Sequence, residues 1–286
     1  MTWLIGVIVG LGCALAGYVI HGGHVMVLWQ PTEVLSIGGL GIGYMIASNS
    51  SRNLKATFAA LPRAFKTPKA NKRKFLDLLC LMFEILQKIR RDGLMSLEAD
   101  IEEPEASALF EKYPSVKEDH HLVEFICDYL RMMLAGSLNN VQIEALMEQE
   151  LEVHHEEVHK PIEIIGNLAD AFPAFGIVAA VMGVVHVMGS IGLPPAELGK
   201  MIGAALVGTF LGILLSYSIT SPISKALAQN EEVDGKVYNC VKAILLASLN
   251  GFPPQGAVEF GRKVLFHDMR PSFKELDEET KNVKGK

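Results

Sequence analysis

The stretch His155-Glu156-Glu157-Val158-His159 reads H-E-x-x-H. On a helix this spacing sets two imidazoles one turn apart to hold zinc, with Glu156 as general base of a hydrolase. The same run also holds Glu148, Glu150, Glu152 and His154, so a chance match on a solvated acidic helix is the better account. No third ligand with its own supporting groups follows, the nearest carboxylates being Glu163 and Asp170. A membrane metalloprotease is therefore only a third choice, and neither enzyme activity nor a metal or other cofactor is expected.

A second constellation is a cluster of both signs around Asp92-Gly93: Arg90, Arg91, Glu98, Asp100, Glu102 and Glu103. On one unbroken helix Arg90 and Glu98 would stand about 12 Å apart and roughly 80° around the axis, too far for a mutual ion pair. Each is free to meet a separate partner, although such clusters are often only solvated faces. The apolar stretches hold little chemistry. No Asp, Glu, Lys or Arg is expected deep within any of them, Asp170 standing at the border of the third. Because a charged group in mid-bilayer marks an ion path, a chain of this kind that moved protons would need a partner to supply the group that is protonated. Thr209 in the fourth stretch and His186 towards the end of the third remain. The Thr209 hydroxyl could bond the carbonyl one turn back or line a pore. Pro173 and Pro222 bracket the third and fourth stretches. They fit the first turn of a helix and the region just past its end, or they could set the angle of moving helices.

The elements that position these residues follow from charge and hydropathy. The apolar stretches Trp3–Ile20, Val34–Ala47, Ala171–Met188 and Met201–Ile219 mostly approach the ~20 residues that cross a bilayer. Every Lys and Arg except Lys200 falls within Arg52–Lys160 or Lys225–Lys286. The positive-inside rule then puts the loops His21–Glu33 and Gly189–Gly199 outside, and the block from Ser50 to Asn167 and both termini in the cytoplasm. The expected fold is all-α: an integral membrane protein of four spans, with a helical cytoplasmic domain between the second and third and a cytoplasmic C-terminal tail. Its parts are 1–49 (spans one and two), 50–167, 168–222 (spans three and four) and 223–286.

Composition agrees, with hydrophobic residues at 50% and charged residues at 20%, too apolar for an ordinary soluble domain and too charged for a wholly embedded one. No basic stripe with interleaved aromatics points to nucleic acid. Cys13, Cys80, Cys127 and Cys240 lie far apart and read as reduced thiols. Met1-Thr2-Trp3 lacks a positive leader, so the first stretch is expected to stay as a membrane helix. The GGLGIG run at Gly38–Gly43 lacks the spacing of a phosphate loop. Small residues recur at Gly6, Gly10, Ala14 and Gly17, at Gly39, Gly43 and Ala47, and at Gly208 and Gly212, faces that pack helices within one bundle or between chains. Helical stripes are expected over Lys72–Arg91, Leu94–Ile101, Val123–Leu134 and Val237–Leu249, and an acidic helix over Val141–Leu168. The tail beyond Pro271, of mixed charge and no apolar stripe, is expected to be partly disordered.

Three stretches carry a resemblance: Ile89–Glu103 (IRRDGLMSLEADIEE), Met147–Pro161 with Glu150, His154 and Glu157, and Ala169–His186 (ADAFPAFGIVAAVMGVVH). In them the chain resembles the MotA family of bacterial flagellar motor stator subunits, within the MotA/TolQ/ExbB proton channel family. The resemblance implies rotor-contact roles for Arg90 and Glu98 and conformational coupling at Pro173 and Pro222. It implies a MotB-like partner whose membrane helix brings the proton-binding aspartate, a pentamer around a MotB dimer, the rotor switch protein of the C-ring as target, and the bacterial inner membrane as location. Sodium-type relatives look to have threonines on both the third and fourth helices. The matching positions here are Ala180 and Thr209, so with Asp170 they mark an ion path expected to carry protons. An ExbB/TolQ-type energiser of outer-membrane transport is the alternative, though such proteins usually have three spans.

Overall fold

A segment without water to bond its backbone must satisfy every amide internally, and a helix does so. In the computed structural model, which describes residues 2–284, every regular element among the described residues is a helix. In chain order they are α1 (Thr2–Ile20), α2 (Pro31–Ser48), α3 (Ser51–Ala60), α4 (Lys72–Asp92), α5 (Glu98–Glu102), α6 (Ala108–Glu111), α7 (Pro114–Lys117), α8 (His120–Ala135), α9 (Asn140–Met188), α10 (Pro195–Leu214), α11 (Ser221–Asp234), α12 (Lys236–Leu249), α13 (Pro254–Val264) and α14 (Phe273–Lys284). Four helical stretches are long and apolar enough to cross a membrane: Thr2–Ile20, Val25–Ser48, Asn140–Met188 and Pro195–Leu249. The chain divides into two units. One holds the residues up to Thr67 together with Glu157–Asn230, and the other holds Pro68–Glu156 with Glu231–Lys286.

The first unit is built on a close crossing of α9 and α10. A Cβ added at Gly176 would stand 2.8 Å from the Gly208 carbonyl oxygen, and one at Gly212 would stand 2.6 Å from that of Phe172. Only glycine permits this approach, and in lipid such close packing supplies most of the attraction between helices. α2 lies against the crossing through Ile37, fully buried with Phe172 and Ala179, and through Gly41, which faces the Phe172 ring. Gly208 and Gly212 are thus used within the chain. The glycine faces of α1 (Gly6, Gly10, Gly17) and α2 (Gly39, Gly43) look into open space, and α1 buries no residue at all. Beyond α2, Ser50 caps α3 by accepting from the Asn53 amide. Trp3 Nε1 donates to the Ala64 carbonyl at 2.9 Å, its ring edge-on to Phe65.

The second unit has a water-soluble protein's core. The expected stripe of α4 is buried at Phe75, Leu78, Leu79, Met82 and Leu86, and packs with α8, α12 and α13. Cys80, Cys127 and Cys240 are buried and Cys13 exposed, all as free thiols. Burial pushes the Cys80 and Cys127 thiols up to about 12. Lys74 is itself buried and reaches Asp119 at 2.6 Å. Burial alone would raise the Asp119 carboxyl, and the hydrogen bond and charge of Lys74 overcome it and hold it below the usual range.

Two expectations are corrected. The tail beyond Pro271 forms α14, with Leu276 and Thr280 buried. Spacing of four residues turns one apolar and one hydroxyl side chain inward, and Glu275 fixes the first turn through Lys72 at 2.7 Å and the Ser272 amide at 2.6 Å; the last two residues of the tail lie outside the described ones. Pro173 occupies not a first turn but the interior of the 49-residue α9, as Pro161 also does. The acidic helix and the third apolar stretch are one element.

The buried pair yields a prediction. Lys74→Met leaves the Asp119 carboxylate unpaired, and such a loss costs about 3 kcal/mol or more, so the purified protein's melting temperature, followed by circular dichroism in detergent, should drop by several degrees. Because the Asp119 pKa is depressed on folding, the pair's stabilisation is complete above the unfolded value near pH 4 and fades as pH falls further. The difference between wild type and variant should therefore shrink in acid.

Candidate functional site

The charged cluster is shaped by Gly93. Its φ of 83° closes α4, its amide donating to the Ile89 carbonyl at 2.9 Å, a conformation that L side chains resist. A 3-10 turn over Leu94–Leu97 then leads into α5. Within this corner most charges are committed. Lys88 reaches Asp100 at 2.6 Å, and Asp100 also accepts from Ser107 at 2.6 Å. Arg91 pairs with Asp92 at 2.7 Å, and its hydrogen bond holds the Asp92 carboxyl below the usual range. Arg131, on α8, binds Glu102 at 2.9 Å and Asp128 at 2.7 Å. Arg90 and Glu98 are exposed, and neither makes an ion pair or side-chain hydrogen bond among the described residues. Arg90 stands in the last turn of α4 and Glu98 begins α5, so the Gly93 corner separates their backbones. Arg131 escaped the sequence reading. Asp128 three residues before it is a visible helical pair, but the link to Glu102 depends on the tertiary fold.

The H-E-x-x-H residues stand on an unbroken helix, with His155, Glu156 and His159 exposed. No group of three metal-ligating side chains occurs among the described residues. Their neighbours serve the fold: the His154 ring packs 4.9 Å from that of Tyr238, and Glu150 accepts from the Tyr129 hydroxyl at 2.6 Å. Glu157 pairs with Arg52 at 2.5 Å, joining α9 to α3.

In the apolar unit, Ala180 is buried, and its amide nitrogen lies 3.1 Å from where a Cβ on Gly208 would stand. Thr209 follows Gly208 in α10, and Asp170 is exposed on α9. Pro173 has no N–H to offer the carbonyl of Ala169, which is buried. α10 passes through a π-helical turn, Leu215–Thr220, directly before Pro222 in α11. Such turns carry a looser ladder and frequent functional sites. Within it Ser216 is buried with no partner for its hydroxyl. The sequence missed this turn because its i to i+5 ladder has no residue signature.

The sequence also missed a carboxylate. Glu33, assigned to an outer loop, sits in the first turn of α2, and its Oε2 is buried without a hydrogen-bond partner. The point 2.7 Å from that oxygen, where a Cβ on Gly208 would stand, is 3.2 Å from the Ala179 Cβ. Glu33 thus lies within the candidate span Val25–Ser48 and beside residues 179, 180 and 208 of the third and fourth apolar stretches, where the sequence pointed only to a loop. Hydropathy fixes where a span begins along the chain, not its height against its neighbours.

The chain has relatives along its whole length. Residues 4–93 match the family Motility protein A N-terminal, and residues 117–237 match the MotA/TolQ/ExbB proton channel family. Motility protein A of Salmonella typhimurium is 46% identical over 285 residues, covering 100% of this chain and 97% of that protein; that of Escherichia coli gives the same figures. The chain belongs to the motility protein A family. A further relative is the chemotaxis protein LafT of Vibrio parahaemolyticus, 36% identical with 97% of each chain covered. Solved MotAB structures from C. jejuni (TM-score 0.78, 21% identity, 95% and 98% covered) and Bacillus subtilis (TM-score 0.69, 24% identity, 90% and 92% covered) share the fold. Full-length agreement with motility proteins, more than the channel match alone, separates this chain from the ExbB/TolQ branch.

The glycine crossing of α9 and α10 can be tested by contrast. Gly212→Val would meet the Phe172 carbonyl and the backbone of Gly176, whereas Gly39→Val faces open space. The first should lower the melting temperature of the purified chain and its yield in membranes, and the second should leave the melting of the isolated chain unchanged.

Proposed function

We propose that this chain is the torque-generating subunit of a proton-driven flagellar stator. It spans the bacterial inner membrane four times with both termini and its charged helical unit in the cytoplasm. A pentamer of it surrounds a dimer of a MotB-like subunit, and proton passage past that subunit's aspartate drives motion of the ring. The observation that carries the reading is the sorting of one charge cluster. Lys88, Asp100, Glu102 and Arg131 are tied into the fold, whereas Arg90 and Glu98 are left exposed and without an ion pair among the described residues on either side of a glycine corner, as is Glu103 at the end of the cluster. Charges held ready in this way suit a contact with the rotor switch protein that is made and released repeatedly, since exposed pairs are worth about 0–1 kcal/mol each.

The membrane features fit the same reading. Pro173 and the π-turn before Pro222 loosen the helices that carry Ala180 and Thr209. A sodium path must replace water oxygens with protein oxygens, and Ala180 offers none from its side chain, which favours the proton. The glycine faces of α1 and α2 that find no partner within the chain fit an assembly of several copies. No cofactor beyond the coupling ion is required, and no enzymatic step.

The test is co-expression with a MotB-like partner in cells lacking their own stator. Swimming should be restored, collapse with a protonophore and ignore external sodium. A stable complex without motility would move the assignment to the transport-energising branch. In the same cells Arg90→Glu and Glu98→Lys should each reduce swimming strongly, and the neutral Arg90→Ala and Glu98→Gln less so. Unchanged swimming in both reversals would end the rotor-contact reading.

A further inference from the structure

We infer that Glu33 is a proton-loading station on the outer part of the ion path, an inference that rests on the proton-conducting reading above. α2 presents Glu33, Ile37 and Gly41 at four-residue spacing, and all three meet the α9 and α10 pair. Gly41 faces Phe172 and Leu168, Ile37 is wholly buried, and Glu33 Oε2 reaches the space left by the missing side chain of Gly208, beside Ala179 and Ala180. Eight residues separate Gly41 from Glu33, and eight separate Phe172 from Ala180, about 12 Å on either helix, so the two run in step. The carboxylate therefore stands at the height of Ala180 and Gly208, one residue from the Thr209 hydroxyl.

An unbonded oxygen there needs an explanation, because buried polar atoms are nearly always partnered. Glu33 as a whole is partly exposed while Oε2 is buried and without a partner. One group thus borders both accessible space and the dry crossing of α9 and α10. The charged and histidine side chains in the loop before α2 and along the apolar parts of α9 and α10 are His21 and His24, Asp170 at the border of the α9 apolar part and His186 within it, and Glu197 and Lys200. None of them is hydrogen-bonded to Glu33 Oε2 among the described residues. A structural carboxylate would be expected to have found a cation or a donor. A carboxylate with neither becomes compatible with its site by taking up a proton, which is the chemistry of a relay. The cycle balances: the carboxylate accepts a proton from outside water and becomes a neutral carboxyl. It then releases that proton inward, through water, to the partner subunit's carboxylate and is a carboxylate again. Gly208 has a second reason to be glycine, since even one methyl would displace Oε2.

The experiment uses the whole complex, with its MotB-like partner, in stator-deleted cells, and measures rotation speed at low and high load across external pH. Low load is where ion transit limits speed. Glu33→Gln keeps the shape and cannot titrate, so it should lose most of the low-load speed while keeping high-load torque. Glu33→Asp should retain part of the speed with a shifted pH dependence. A Glu33→Gln complex as abundant as wild type with wild-type speed at every pH and load would overturn the inference. If Glu33→Gln does not assemble, Glu33→Asp decides, a wild-type pH profile at wild-type abundance overturning it. Wild-type rotation that is insensitive to a protonophore would instead overturn the parent reading, and is seen without either variant.

Discussion

The approach of α9 and α10 across Gly176, Gly208 and Gly212 is the contact on which the membrane unit depends. With no water to expel, helices in lipid are held by how closely their backbones pack, and here the backbones come near enough that a methyl at Gly212 would overlap the Phe172 carbonyl. The same glycines have chemical consequences. They remove side chains at mid-height, leaving Ala180 and the Gly208 position lined by backbone and open to an oxygen reaching in from α2. Ile37 and Phe172 are buried in the crossing one and two turns away, and among the described residues the buried side-chain oxygen left unbonded beside Gly208 is Glu33 Oε2. Packing and chemistry are set by one run of small residues.

The other unit obeys the rules of water. Its core of α4, α8, α12 and α13 is apolar, and the charges that must be buried are paired, as in Lys74 with Asp119. At its Gly93 corner, ion pairs are spent on holding α4, α5 and α8 together through Lys88, Asp100 and Arg131. Against this fixed background Arg90, Glu98 and Glu103 are left exposed without an ion pair among the described residues. A charge beside many mobile charges is anonymous, whereas one left over after its neighbours are bound presents a defined sign at a defined place.

Much of this was legible in the sequence, and the failures have a common cause. Periodicity located α4, α8 and α12, and the break at Asp92-Gly93, because one-sided burial writes itself into spacing. The absence of Lys and Arg from His21–Glu33 and Gly189–Gly199 and the apolar lengths located the candidate spans. What could not be read was register between helices. Whether Glu33 lies in a loop or at the height of Ala180 depends on how far α2 is displaced along α9, and no residue in α2 encodes that alone. The π-turn before Pro222 and the partners of Arg131 are tertiary in the same sense. α14 was missed for the opposite reason, its stripe of Leu276 and Thr280 being too short to stand out from its charges.

Energy scale decides what kind of switch these parts can form. One elementary charge crossing the membrane releases about 2.3 kcal/mol per 100 mV, comparable with one or two net hydrogen bonds at about 1 kcal/mol each. A step that broke a packed helix interface would exceed it. The devices around the crossing all lie within that range: a carbonyl at Ala169 left without its donor by Pro173, a π-turn with a looser ladder, a buried Ser216 hydroxyl without a partner, and an unbonded Glu33 oxygen. Each is a place where one hydrogen bond is already missing or loosened, so a rearrangement there breaks less. A chain with a fully satisfied, well-capped bundle would be more stable, and the energy of one elementary charge could not move it.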